Sequence, residues 1–103
     1  MSQKDLESLR SQIDHLNLEI LRLINERAEV VEEIGVIKEK QGVTRYDPMR
    51  ERHMLDLIKE HNNGPLNQMT VDYIFKQIFK TAFKQLDTDK KKELLVSRKE
   101  KSE

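Results

Sequence analysis

The chain has 103 residues, about the size of one domain, and its 19 basic side chains balance its 19 acidic ones. A balanced charge gives no reason to expect a nucleic acid as partner. The sequence contains no apolar run near the ~20 residues that a membrane-spanning helix requires, and its opening residues lack the apolar segment of a signal peptide. We therefore expect a cytoplasmic protein that does not enter the membrane.

Metal and covalent chemistry have little support in the sequence. Cysteine is absent, which excludes disulfides, thiolate nucleophiles and cysteine-bound metals. His15, His53 and His61 lack the spacing of metal ligands, and the chain has no glycine-rich phosphate loop or serine-nucleophile motif. These patterns predict no metal site.

The first predicted element is a helix from about Lys4 to Gln41, with Gly42 as its stop signal. Gly35 lies inside it, and a glycine within a helix marks either a tolerated cost or a close contact. Steps of three and four residues define a heptad seam. The seam consists of Leu6, Leu9, Ile13, Leu16, Ile20, Leu23, Arg27, Val30, Ile34 and Ile37. A helix of ~38 residues is ~57 Å long, more than the width of a compact domain of this size, so we expect a second copy to cover the seam.

Arg27 is the one charged residue in this seam. A buried guanidinium stays protonated and needs an anion, and Arg10 and Lys38 flank the same edge of the helix. Taken singly, each cation is explained as well by an ion pair between helices or by a side chain that reaches out to water. If two copies pair antiparallel about residue 21, however, Arg10 of the partner falls between Arg27 and Lys38. This arrangement predicts two equivalent sites for a small dianion.

Two shorter helices follow. Asp47 and Pro48 predict the start of the second helix, and Gly64-Pro65 predicts its end. The third is predicted from about Thr70 to Leu86 by an apolar face. This face consists of Val71, Ile74, Phe75, Ile78, Phe79, Ala82, Phe83 and Leu86. The expected fold is all-α, with a helical domain over residues 1–88 and a charged linker or tail over 89–103.

One set of residues agrees with a known family in identity and spacing. The set is Leu9-Arg10, Ile13, Leu23 to Arg27, Ile34-Gly35, Lys38, Asp47-Pro48 and Arg50 to Arg52. It resembles the all-helical class of chorismate mutases over residues 5 to about 86. The resemblance implies an intertwined homodimer of three-helix chains that rearranges chorismate to prephenate in aromatic amino-acid biosynthesis without a cofactor.

The resemblance also implies roles for the cations. Arg10 would reach the partner's site, Arg27 and Lys38 would line the chain's own site, and the arginines would hold the substrate's carboxylates. Lys38 would also donate a hydrogen bond to the ether oxygen, where negative charge grows as the bond breaks.

Three residues after the first helix complete the implied site. Glu51 would contact the ring hydroxyl, Asp47 would lie beside it through its backbone, and Arg50 would add positive potential.

The third helix departs from the family pattern. Counting from Phe75, the family has serine seven residues on and glutamine eleven on, as a second donor to the ether oxygen. This chain has Ala82 and Leu86 there, with Gln85 one place early. A shift of one residue turns a side chain by ~100° around a helix, so we expect weak mutase activity.

The segment from Leu94 to Lys99 resembles a junction found in bacterial fusion proteins. In these proteins, 3-deoxy-arabino-heptulosonate 7-phosphate synthase follows a mutase domain. The resemblance implies that the domain can have a second role, as a feedback sensor of chorismate or prephenate. Two alternatives stay open on the sequence: a non-catalytic helical dimerisation or regulatory module, and an isochorismate pyruvate lyase.

Overall fold

The computed structural model describes residues 3–81 of the chain, and this part is helical with no strand. Helix α1 spans Gln3–Gln41 and helix α2 spans Pro48–His61. A third helix, α3, covers residues 68–81. The expected all-α class is confirmed. The predicted end of α3 at Leu86 and the charged tail lie outside the described residues.

Helix α1 ends in a Schellman motif. The N–H of Gly42 donates to the carbonyl oxygen of Glu39 at 3.1 Å, and the N–H of Val43 donates to that of Lys38 at 2.8 Å. Gly42 has φ of 69°, a left-handed conformation that glycine adopts without steric cost. The predicted stop signal therefore acts through its backbone geometry.

Helix α2 begins where its sequence predicts. Asp47 is its N-cap and accepts a hydrogen bond from the backbone N–H of Arg50, and Pro48 opens the first turn. The helix ends at His61, three residues before the predicted Gly64-Pro65. Asn62 leaves the helix with φ of −79° and ψ of 100°.

Helix α3 starts two residues before the predicted Thr70 because Asn67 caps it. The side-chain oxygen of Asn67 accepts from the N–H of Thr70 at 2.8 Å, and its carbonyl oxygen accepts from Val71 at 3.1 Å. The sequence reading overlooked this cap.

The chain divides into two compact units between Ile34 and Gly35. In the first unit, the seam leucines, isoleucines and valine from Leu6 to Ile34 are 46–56% exposed. In the second, Val71 is buried. Six further apolar side chains of this unit are half-buried: Met54, Leu55 and Ile58 in α2, and Phe75, Ile78 and Phe79 in α3. The apolar faces of these two helices therefore supply a small core.

Candidate active site

Two predicted site residues lie side by side in the second unit. The Nζ atom of Lys38 is 4.0 Å from Oδ2 of Asp47, with side chains that are 24% and 46% exposed. An ion pair of this length and exposure contributes only about 0–1 kcal/mol to stability. The Lys38 ammonium has three N–H donors, so it keeps hydrogen-bonding capacity beside Asp47.

The same aspartate organises the first turn of α2. Its Oδ1 atom accepts from the backbone N–H of Arg50 at 3.0 Å, and its carbonyl oxygen accepts from the N–H of Glu51 at 3.1 Å. The side chains of Arg50 and Glu51 are exposed. Asp47 thus connects, through its two carboxylate oxygens, the end of α1 to the start of α2.

Arg45 is a site-adjacent residue that the sequence reading missed. A Cβ atom added to Gly35 would lie 2.7 Å from Nη2 and 2.9 Å from Cζ of Arg45, so the guanidinium rests against α1 at the glycine. Its Nη1 atom is buried and has no hydrogen-bond partner among the described residues. The glycine inside α1 was the signal for such a close approach.

The other predicted site residues lie either in the first unit or outside the described residues. In the first unit Arg10 is exposed, whereas Arg27 is half-buried and makes at least one polar or electrostatic interaction. Ala82, Gln85 and Leu86 lie outside the described residues.

The described part of the chain contains neither a candidate metal site nor a candidate membrane span. Across residues 3–81, no group of three or more histidine or acidic side chains is placed to hold a metal ion. None of the helices described is long and apolar enough to cross a membrane.

Comparison with known proteins identifies the family. The sequence profile of chorismate mutase type II matches residues 9–86. The chain is 41% identical to a chorismate mutase of Thermus thermophilus, with a TM-score of 0.74 over 76% of this chain and 98% of that one. The chain belongs to the chorismate mutase type II family.

Several curated relatives are named chorismate mutase, some with a second activity in the name. The bifunctional chorismate mutase/prephenate dehydratase of Aquifex aeolicus is 38% identical over 79 residues, which are 73% of this chain and 22% of the relative. The chorismate mutase of Methanocaldococcus jannaschii is 38% identical over 61 residues, or 55% of this chain and 62% of that protein. The chain spans about a fifth of the length of its bifunctional relatives.

Proposed function

We propose that this chain catalyses the rearrangement of chorismate to prephenate in the cytoplasm. The observation that carries the proposal is Lys38, held beside Asp47 in a chain of the mutase family. The reaction moves electrons within one molecule, so it needs neither a nucleophile nor a redox cofactor. The protein must select a compact conformer of a flexible dianion and stabilise the charge that develops on its ether oxygen.

Lys38 is the proposed donor to that oxygen. Its ammonium is half-buried at the end of α1, and the Schellman motif fixes its backbone. A fixed cation stabilises the developing charge without the reorganisation that water would need. Arg27, also half-buried, is the proposed ligand of a substrate carboxylate.

The first turn of α2 provides the remaining polar groups. Glu51 is the proposed acceptor for the ring hydroxyl, with Asp47 beside it through its backbone. Arg50 raises the local positive potential. The capping interaction of Asp47 holds the backbone of all three residues, which supports this assignment.

We propose that the active form is a homodimer in which Arg10 of the partner subunit completes each site. The support is the exposed seam of α1, where eight apolar residues from Leu6 to Ile34 are about half accessible. An apolar surface of this extent, interrupted in the seam only at Arg27, is unusual on a monomer and is typical of a helix that packs against another chain.

The direct test is a spectrophotometric assay that follows the loss of chorismate absorbance. The wild-type chain is compared with Arg27→Ala, a variant of the proposed site. We expect kcat/KM to fall by about 10²-fold or more, as for removal of a group that stabilises the transition state. Arg22→Ala is the matched control, because Arg22 is an exposed arginine that pairs with Glu26 at 2.8 Å on the same helix. A wild-type chain that leaves chorismate intact would refute the proposal, and release of pyruvate from isochorismate would favour the lyase.

A dimerisation module without ligand predicts a different result for Arg27→Leu. Removing a charge from a packed seam should stabilise the fold in either case. The site proposal adds that the variant loses binding of the substrate, whereas a simple dimerisation module would lose no function.

A feedback role is a further part of the proposal. It is supported by the segment 94–99, which resembles the junction to 3-deoxy-arabino-heptulosonate 7-phosphate synthase. It is also supported by Ala82 and Leu86, which stand in the predicted third helix where the family has serine and glutamine. The carboxylate-binding arginines would still hold prephenate. Isothermal titration that detects no prephenate binding would exclude this role.

A further inference from the structure

The connector between α1 and α2 carries one partner of the Lys38–Asp47 pair. It runs over residues 42–47, and each end is fixed by its helix: Gly42 and Val43 bond back to α1, and Asp47 caps α2. Within it, the N–H of Tyr46 donates to Oγ1 of Thr44 at 3.2 Å. That bond is local and does not attach the connector to a helix.

Arg45 attaches the middle of the connector to α1. Its Nη2, Cζ and Nε atoms lie 2.7, 2.9 and 3.1 Å from the position of a Cβ on Gly35. Three atoms of one planar group at similar distances place the guanidinium closely against the helix surface. Gly35 is buried, and any larger side chain there would displace the guanidinium.

Two features of the contact between Arg45 and Gly35 oppose folding, so a contribution to stability does not by itself explain the contact. The Nη1 atom of Arg45 is buried without an acceptor among residues 3–81, and an unsatisfied buried donor opposes folding. Glycine inside a helix also opposes folding relative to alanine. Two unfavourable choices therefore meet in a single contact, which is a pattern expected where function constrains the sequence.

The Lys38–Asp47 pair also needs an external restraint. Its atoms are 4.0 Å apart and both side chains are partly exposed, so the attraction between them is too weak to fix the connector. Arg45 lies two residues before Asp47 and Gly35 lies one helical turn before Lys38. The contact between Arg45 and Gly35 therefore fixes the distance between the same two segments.

We propose that Arg45 is a positioning residue of the mutase site. It holds the connector on Gly35, keeps Asp47 beside Lys38 and so directs the Lys38 ammonium toward the ether oxygen. The inference rests on the proposed mutase activity and adds a residue that does not touch the substrate.

The kinetic test uses Arg45→Ala, Gly35→Ala and the double variant. Each single variant should lower kcat by about tenfold, because small displacements of a catalytic group reduce the rate strongly. KM should stay near the wild-type value, and the melting temperature of Arg45→Ala should fall by only a few degrees, since the unsatisfied Nη1 atom offsets most of the favourable contact. The double variant should be no slower than either single one, since both remove the same contact.

Two matched controls accompany these variants. Gly64→Ala adds a Cβ that meets only Asn62 Oδ1, at 3.9 Å. Lys59→Ala removes an exposed cation from α2. Both should keep the wild-type kcat. An increase in KM with unchanged kcat in Arg45→Ala would overturn the proposal, because it would indicate direct binding of the substrate.

Asp47→Asn tests whether Arg45 affects kcat through the pair of Lys38 and Asp47. Asparagine still caps a helix but carries no charge for Lys38. In this background Arg45→Ala should reduce kcat little further. A full additional tenfold loss would show that Arg45 acts by another route. Arg45→Lys, which keeps the charge but not the planar group, should behave like Arg45→Ala; full rescue by lysine would contradict the positioning role.

A melting experiment separates failure of this inference from failure of the proposed activity. With Arg45 absent, Gly35→Ala should raise the melting temperature by about 4 °C at fixed protein concentration, since alanine favours the helix. With Arg45 present the increase should be smaller or reversed, because the guanidinium must leave. Equal increments would overturn the contact whether or not chorismate is consumed; an inactive chain with unequal increments would refute only the mutase site.

Discussion

Asp47 uses its two carboxylate oxygens for different purposes. Oδ1 caps α2 through the N–H of Arg50, and Oδ2 faces Lys38. Substitution should separate the two. We expect Asp47→Ala to lower the free energy of unfolding by about 1 kcal/mol, the usual value of a cap, whereas Asp47→Asn should cost only a few tenths. Both should reduce kcat, since both remove the charge beside Lys38. Urea unfolding and initial rates measure the two effects, and equal losses of stability would contradict the division.

Gly42 is the residue whose backbone conformation most restricts its identity. At φ of 69° a side chain is strained, so Gly42→Ala should lower the free energy of unfolding by about 1–2 kcal/mol. No atom lies within 4 Å of the added Cβ, which means that the loss would come from backbone strain and not from a clash. Gly64→Ala is the control in urea unfolding and should change stability by less. A neutral Gly42→Ala would show that the Schellman motif is not needed.

Leu86 stands where the family has its second donor to the ether oxygen, and it lies outside the described residues. If the weak activity that we expect comes from this replacement, Leu86→Gln should raise kcat. A restored donor of this kind contributes about tenfold or more. Leu86→Met, similar in size but without a donor, is the matched control. Unchanged or lower turnover of Leu86→Gln in the chorismate assay would count against the explanation.

At the level of elements, capping chemistry determines how well the sequence predicts the fold. The end of α1 and the start of α2 follow from Gly42, Asp47 and Pro48, whose side chains or backbone preferences act locally. The predicted end of α2 at Gly64-Pro65 is too late, because the helix already ends at His61, with Asn62 as its C-cap. Local signals thus predict the end of a helix well where one capping residue is present. They predict it less well where two candidate stop signals follow one another in the sequence.

Asn67 makes the start of α3 a direct test of capping. Its side chain satisfies the N–H of Thr70 at 2.8 Å, so Asn67→Ala should lower the free energy of unfolding by about 1 kcal/mol. Asn67→Asp should keep most of the stability, because aspartate caps equally well and suits the helix dipole. Thermal unfolding followed by circular dichroism compares the variants, and equal destabilisation by alanine and aspartate would exclude the capping explanation.

At the level of the whole molecule, contacts between distant residues limit what the sequence can predict. The seam of α1 and the charges of Lys38 and Asp47 are visible in the pattern. The contact of Arg45 with Gly35 is not, because it depends on the path of the connector and not on any periodicity. The spacing of the cations on α1 likewise indicates an anion site. It does not determine which chain of a dimer supplies each cation, because that depends on how two chains pair.

Subunit complementation tests whether each site is shared between two chains. Arg10→Ala and Arg27→Ala should each be nearly inactive alone. Mixed by unfolding and refolding in equal amounts, they form mixed dimers in about half of the population, and each mixed dimer has one intact site of two, so about a quarter of the wild-type activity should return. Arg27→Ala mixed with Lys38→Ala is the control and should recover nothing, because both residues are proposed for the same chain's share of a site. Activity that fails to return in the first mixture, although mass spectrometry shows the mixed dimer, would place Arg10 outside the shared site.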